Sequence, residues 1–438
     1  MKFQQGTRSW GEALRVYSRP EVVRMLFLGF SAGLPLLLVF STLTAWLQDL
    51  DVSRSSIGFF GWVGITYSIK VFWAPVVDRI RIPWLTEKFG QRRSWILMGQ
   101  LGIMLGLVAM VLVDPKASLS NFAICAVIVA FSSSTQDVAI DAFRIESAAD
   151  EIQGALAAGY QFGYRSAMLV AGAGAFYIAD IYSWNTAYFF MAALMFVGIG
   201  TVLVIPEPAR DDKDKPKSIK SEKTGKWDRL IHWFQVAFMA PFIEFFKRNG
   251  SYALIILTFI AVFRLSDIAM GIMANPFYLD MGFTKTEIAS ISKIFGFFMT
   301  LLGAFLGGLC VVRYGAHRPL LLAAGLTAVT NLLFVNLANM GHDINGLVMA
   351  ISADNISGGF AGAVFIAYLS SLTNRAFTAT QYALFTSLMT LPGKFFSGFS
   401  GIIVDATSYQ VFFTYAALMG IPAIVLSWML WKKAGHAT

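Results

Sequence analysis

The sequence predicts an all-α polytopic membrane protein, with twelve transmembrane helices in two six-helix bundles. Three observations carry this prediction. The 438 residues are 56% hydrophobic and only 14% charged, against about 25% charged in soluble domains. Apolar stretches close to the ~20 residues that cross a bilayer recur along the whole chain. The Lys and Arg residues sort into alternate connecting segments. The net charge of +8 therefore belongs to particular loops and is no nucleic-acid signature.

The spans follow in order. Residues 1–22 are polar and charged, and the apolar stretch after them is too long for a signal-peptide core, so an uncleaved first span is expected over 23–47. Further spans are expected over 55–77, 94–113, 120–145, 154–178 and 185–205, completing an N-terminal bundle within 1–205. Residues 206–250 form a linker. Its first part, 206–225, includes RDDKDKPKSIKSEKTGK, too charged to bury a core. Over 227–239, Trp227, Leu230, Ile231, Phe234 and Phe238 repeat at helical spacing before Pro241. That pattern predicts a short helix on the membrane surface; a plain cytosolic helix is the alternative. The second bundle, 251–438, has spans at 251–279, 286–312, 319–338, 344–372, 378–404 and 409–430.

With the N-terminus placed inside, the inner segments hold 26 of the 34 Lys and Arg residues, and the outer loops hold three, Arg54, Lys116 and Lys285. Both termini are therefore expected in the cytoplasm. The halves echo each other. Span five opens GALAAGYQFGYR and span eleven has QYALFTSLMTLPGK, with a base (Arg165, Lys394) eleven and thirteen residues in; span two ends VVDR and span eight VVRY. Such weak symmetry marks paired bundles around a midplane site.

Nine ionisable residues fall well inside spans: Asp137, Asp141, Asp267, Asp354, Lys70, Arg165, Arg264, Lys293 and Lys394. A charge at bilayer depth costs ~2.5–3.5 kcal/mol even on the lenient insertion scale. They must share an interior, and a cavity with one more base than acid suits an anionic or zwitterionic solute. Asp137 and Asp141 lie one helical turn apart. Both being ionised in a poorly hydrated cavity is costly, so at least one is expected to exchange a proton. Asp137 is the first candidate, then Asp141 and Asp267; a structural ion pair is the competing reading. Arg264 and Asp267 are spaced to pair with each other. Lys70 and Lys293 have no acid at i±3 or i±4 and need a partner from another helix or from solute. Arg165 is placed to bridge to Asp137 or Asp141. Asp354 and Asn355 either bind solute or brace the small-residue run GGFAGA that follows. Tyr67, Trp73, Tyr160 and Tyr164 offer flat rings for sugar faces, with core packing as the alternative. Cys125 and Cys310 lie in apolar segments without metal-ligand spacing, and no metal or cofactor is expected. No Ser/His pair or phosphate-cradling Gly loop appears in the spans, so an enzyme is not expected.

Asp78, Arg79, Arg92 and Arg93 bracket the loop between spans two and three. This resembles the D-R…G-x-R-R loop of the major facilitator superfamily, which latches neighbouring helix ends; Val312 replaces the Asp in the second half. The stretches SAGLP (31–35), YSIKVFWAPVVDR (67–79), GQRRSW (90–95), SSTQDVAIDAFR (133–144), GYRSAMLV (163–170), FRLSDIAM (263–270) and RAFTATQYAL (375–384) resemble the AmpG-type muropeptide permeases. Gln136, Asp137, Asp141 and Lys70 are the most specific part. The resemblance implies a proton-driven carrier of the bacterial inner membrane, and a monomer is expected. It would import N-acetylglucosaminyl-1,6-anhydro-N-acetylmuramyl peptides for peptidoglycan recycling and indirectly support β-lactamase induction. Two other readings remain open from the residues: a carrier of another solute such as a siderophore, and a non-transporting receptor for wall fragments.

Overall fold

A computed structural model describes residues 10–50, 52, 60–208, 239–284, 287–397 and 400–436. Nearly all of these are helical, with no strand among the described residues. The first half comprises α1 (Pro20–Leu47), α2 (60–79), α3 (Gln91–Leu112), α4 (Leu119–Glu146), α5 (153–181) and α6 (Trp184–Val204). The second comprises α7 (Tyr252–Asp280), α8 (288–314), α9 (His317–Met340), α10 (Ile344–Leu372), α11 (Thr378–Ser397, then Ser400–Ala406) and α12 (Tyr409–Lys433). All but α2, α5 and α11 are long and apolar enough to cross a bilayer on their own. Those three carry Lys70, Arg165 and Lys394, and they reach bilayer depth as members of the bundles.

Several helices expected to be continuous are interrupted. In α1 the helix runs through Pro35, and the regular ladder tightens at Val39 and Phe40, where Phe40 donates to Leu37. The described part of α2 is a chain of single turns: Gly61–Gly64, Ile65–Ser68, Lys70–Phe72 and Ala74–Arg79. Gly61, Gly64 and Pro75 lower its helix propensity. In α7 the break falls on Arg264, with φ −98° and ψ 4°, between Tyr252–Phe263 and Leu265–Asp280. A widened π-helical turn opens α8 over Ile288–Phe295, and another lies at Val170–Gly174 in α5. Such turns recur at functional sites.

Close helix crossings stiffen each half. A Cβ on Gly163 would strike the carbonyl of Leu26, and Gly29 and Gly33 face the carbonyls of Tyr160 and Tyr164, so α1 and α5 touch backbone to backbone. In the second half Gly303 meets the carbonyl of Ile356 and Gly359 that of Thr300, which joins α8 to α10. Small residues permit this approach where lipid offers no hydrophobic drive for association.

The halves meet along α5 with α8 and α10, and along α11 with α2 and α4. Leu309, Val312, Ala379 and Ala383 of the second half are buried in one apolar cluster with Ala74, Val77, Val138 and Ala142 of the first. The surface helix expected over 227–239 lies, apart from Met239, outside the described residues. A helix Ala240–Asn249 follows it, with Pro241 in its first turn.

Candidate functional site

The uninterrupted α4 puts Asp137 and Asp141 on one face. The broken backbone of α2 brings Lys70 into electrostatic range of both. Oδ1 of Asp137 is buried with no hydrogen-bond partner, as is Oε1 of Gln136. The Gln136 amide donates to the carbonyl of Ser31 at 3.1 Å. Asp141 pairs with Arg144 of its own helix at 3.5 Å. Tyr160 and Tyr164, with rings 5.9 Å apart, lie beside both acids, and Tyr67 is a neighbour of Asp137.

A second group lines the other bundle. Arg264, at the break in α7, pairs with Asp267 at 3.2 Å, and Asp354 of α10 lies within range of both. Arg165 is exposed and faces Tyr164 and Arg264. Lys394 of α11 donates to Oγ of Ser68 at 2.8 Å and lies within range of Lys70. The structure thus gathers Tyr67, Lys70, Asp137, Asp141, Tyr160, Tyr164, Arg165, Arg264, Asp267, Asp354 and Lys394 from helices of both halves.

The geometry bears on several of the expected site residues. The base beside Asp137 and Asp141 is Lys70, while Arg165 lies within range of Tyr164 and Arg264. Asn355 is engaged in helix packing: its Oδ1 accepts from Thr300 of α8 at 2.8 Å and its amide donates to the carbonyl of Ile351 at 3.0 Å. Trp73 packs on Phe131 with ring centroids 4.8 Å apart. Lys293 is exposed on the opening π turn of α8, at the end of that helix away from Tyr314.

The loop residues form a lock between the halves on the basic face. Arg92, fully buried, donates to Asp78 at 2.7 Å and to Glu146 at 2.6 Å. The Asp78 carboxylate also accepts from the amides of Ala379 (3.0 Å) and Thr380 (2.8 Å) and from the Thr380 hydroxyl (2.7 Å), at the start of α11. An anion at a helix N-terminus meets unpaired N–H groups and the positive end of the dipole. Arg79 covers the ring of Phe377 at 5.7 Å. Arg93 donates to the last carbonyls of α6, Val202 (2.8 Å) and Leu203 (3.0 Å). Glu207 accepts from the amides of Arg92 and Arg93; burial pushes its carboxyl up, and those amides oppose the shift. Arg144 reaches across to Ser370 at 2.7 Å and lies 5.2 Å from the ring centre of Tyr382.

A second network holds the helix Ala240–Asn249 to the start of α11. Glu244 of the helix Ala240–Asn249 pairs with Arg248 at 2.9 Å and accepts from Asn374 (2.8 Å) and Gln381 (2.7 Å). Gln381 also donates to the carbonyl of Pro241, and Arg248 to that of Leu372. Sequence reasoning missed Glu146, Glu207, Thr380, Glu244 and Gln381. Apart from the local Glu244–Arg248 pair, their partners lie mostly tens to hundreds of residues away, and only the run QDVAIDAFRIE, ending in Glu146, carried a signal.

Comparison with known proteins agrees with this architecture. The model of the Major Facilitator Superfamily matches residues 25–393. "Putative transporter AmpG 4" of Rickettsia felis is 32% identical over 96% of this chain and 98% of its own length. The anhydromuropeptide permease of Escherichia coli K12 is 32% identical over 94% of this chain and 80% of its own. Among solved structures, the Major Facilitator Superfamily transporter FucP in the outward conformation superposes with a TM-score of 0.68 at 14% identity, over 95% of this chain and 99% of that one. The proton:xylose symporter XylE gives 0.67 at 14% identity, covering 96% of each chain; both show the fold alone. The chain belongs to the Major Facilitator Superfamily, and within it to the AmpG-type permeases.

Proposed function

We propose that this multi-pass permease imports anhydromuropeptides from periplasm to cytoplasm, in symport with protons, across the bacterial inner membrane. The basic face then lies in the cytoplasm with both termini, as the distribution of Lys and Arg favours. Solute enters from the opposite face and serves peptidoglycan recycling, and indirectly β-lactamase induction. One chain encloses the site, which supports a monomeric carrier.

The observation that carries this reading is the sharing of Lys70 between Asp137 and Asp141. When Asp137 is ionised, Lys70 is occupied by its own bundle. A proton on Asp137 frees the ammonium for a solute carboxylate, and Lys394 stands beside it on the other bundle. Proton and anionic solute then favour each other's binding through one shared cation, and by linkage that coupling is reciprocal. Tyr160 and Tyr164 supply ring faces for the sugars next to the same acids. The Asp78 lock closes the cytoplasmic side, so the solute is released inward only after the lock opens.

Uptake of labelled anhydromuropeptide into proteoliposomes tests the reading. Asp137→Asn mimics the protonated acid; it is expected to keep solute binding and exchange but lose accumulation driven by a proton gradient. If Asp137→Asn and Asp141→Asn each accumulate solute with unchanged pH dependence, neither acid couples the proton and Asp267 is next. Absence of uptake by the unmodified protein, with siderophore uptake in its place, overturns the solute assignment.

A further inference from the structure

The helix Ala240–Asn249 has three distinct faces. Successive residues turn by about 100°. Pro241 and Phe245 are buried against the bundle, and Glu244 and Arg248 beside them bond to Asn374, Gln381 and Leu372. Roughly opposite that face, Met239, Ile243 and Phe246 are exposed at 49%, 50% and 44%. Lys247 is exposed between the apolar stripe and the polar edge. The helix is thus held to the protein on one side and turns an apolar stripe away from it, directly before α7 enters the bilayer.

The end of α12 completes the surface. Lys433 lies 2.8 Å from the ring centre of Tyr252, the first residue of α7, and Lys432 lies 5.4 Å from that of Trp428. Tyr252 and Trp428 remain exposed at 36% and 48%. No ion pair among the described residues engages Lys247, Lys432 or Lys433, whereas Arg248 is neutralised by Glu244. Three lysines that pair with no acid among the described residues, an apolar stripe and two amphipathic rings thus lie where α7 begins and α12 ends.

We propose that this surface binds the headgroup and upper acyl chains of an anionic phospholipid of the cytoplasmic leaflet. The charge is complementary to the headgroup, the stripe to the acyl region, and Trp and Tyr favour the boundary between them. The site is preorganised, because the Glu244 network fixes the helix whether or not a lipid is present.

The full chain is reconstituted in phosphatidylcholine with trace spin-labelled phosphatidylglycerol or spin-labelled phosphatidylcholine, and the immobilised fraction of each is measured. The expected result is preferential retention of phosphatidylglycerol, weakened by salt. In Lys247→Gln/Lys432→Gln/Lys433→Gln the preference should fall by up to about fivefold for each lysine removed. The matched variant Arg81→Gln/Lys88→Gln/Arg318→Gln, on exposed positions of the same face, should keep it. Equal retention of both lipids by the unmodified protein overturns the proposal. So does an equal loss in the two triple variants, which would assign the effect to the general field of the basic face. If the triple variant fails to insert, the three single variants are measured in its place, and unchanged retention in all of them overturns the proposal. The readout needs no transport, so it stands or falls separately from the solute assignment.

Discussion

Replacing Asp78 with asparagine should unlock the basic face without unfolding the protein. Across the two halves, the carboxylate accepts from Ala379, Thr380 N and Thr380 Oγ1 at 2.7–3.0 Å. Hydrogen bonds to a charged group contribute ~1.5–3 kcal/mol each, and the helix-dipole interaction adds ~0.3–2 kcal/mol. Asparagine retains one carbonyl acceptor and removes the charge, so the closed state should lose about 2–3 kcal/mol. That moves the closed–open equilibrium roughly 30- to 150-fold toward open. Arg92 keeps its partner Glu146 at 2.6 Å, so no buried charge is stranded. Ala383, 2% exposed in the seal, reports the change when replaced by cysteine in a background lacking Cys125 and Cys310. Maleimide labelling from the basic face should accelerate by the same factor. Transport should slow more than solute binding weakens, because the substitution acts on a conformational equilibrium. Unchanged labelling together with equal losses of binding and transport would refute this reasoning.

Lys70→Ala and Lys394→Ala should each weaken solute binding by ~1.5–3 kcal/mol, roughly 10- to 150-fold in Kd. Titration calorimetry on the folded variants checks this, and Lys293→Ala, on the opening turn of α8, should change Kd far less. Gly163→Leu forces α1 away from α5 and should cost ~1–3 kcal/mol of stability. That would be seen as a lower Tm than in Gly200→Leu, where a Cβ meets nothing within 4 Å. Glu287 accepts from the amide and hydroxyl of Thr284 and contacts His342, and these bonds, the amide first, hold its carboxyl below the ordinary value. A depressed carboxyl stabilises the fold above its unfolded pKa and loses that contribution as pH falls through the folded one. Melting curves should therefore decline on acidification below about pH 4.5, and Glu287→Gln should flatten that decline.

The spans were legible because hydropathy and the sorting of Lys and Arg act over windows of twenty residues. The ionisable residues were legible because the bilayer makes each one conspicuous. The interruption of α7 was not: nothing in the apolar run around Arg264 announces a break. Pairings between distant helices were equally hidden. Lys70 and Arg165 read alike in sequence, and only the course of α2 places the former beside Asp137. The Glu244 network was invisible because Asn374 and Gln381 lie about 130 residues from Glu244 in sequence.

The glycine crossings have a mechanical corollary. Each half contains one stiff beam, α1 with α5 and α8 with α10, and the two beams touch along α5 and α8. Among the helices outside them, α2 and α7 have interrupted ladders. Of these, α2 is tied to α11 of the other half through Ser68 and Lys394. Load applied at Lys70 or Lys394 therefore falls first on the compliant α2 while the beams keep their shape. A covalent tether between α1 and α5 should leave transport intact, whereas one between α2 and α11 should arrest it.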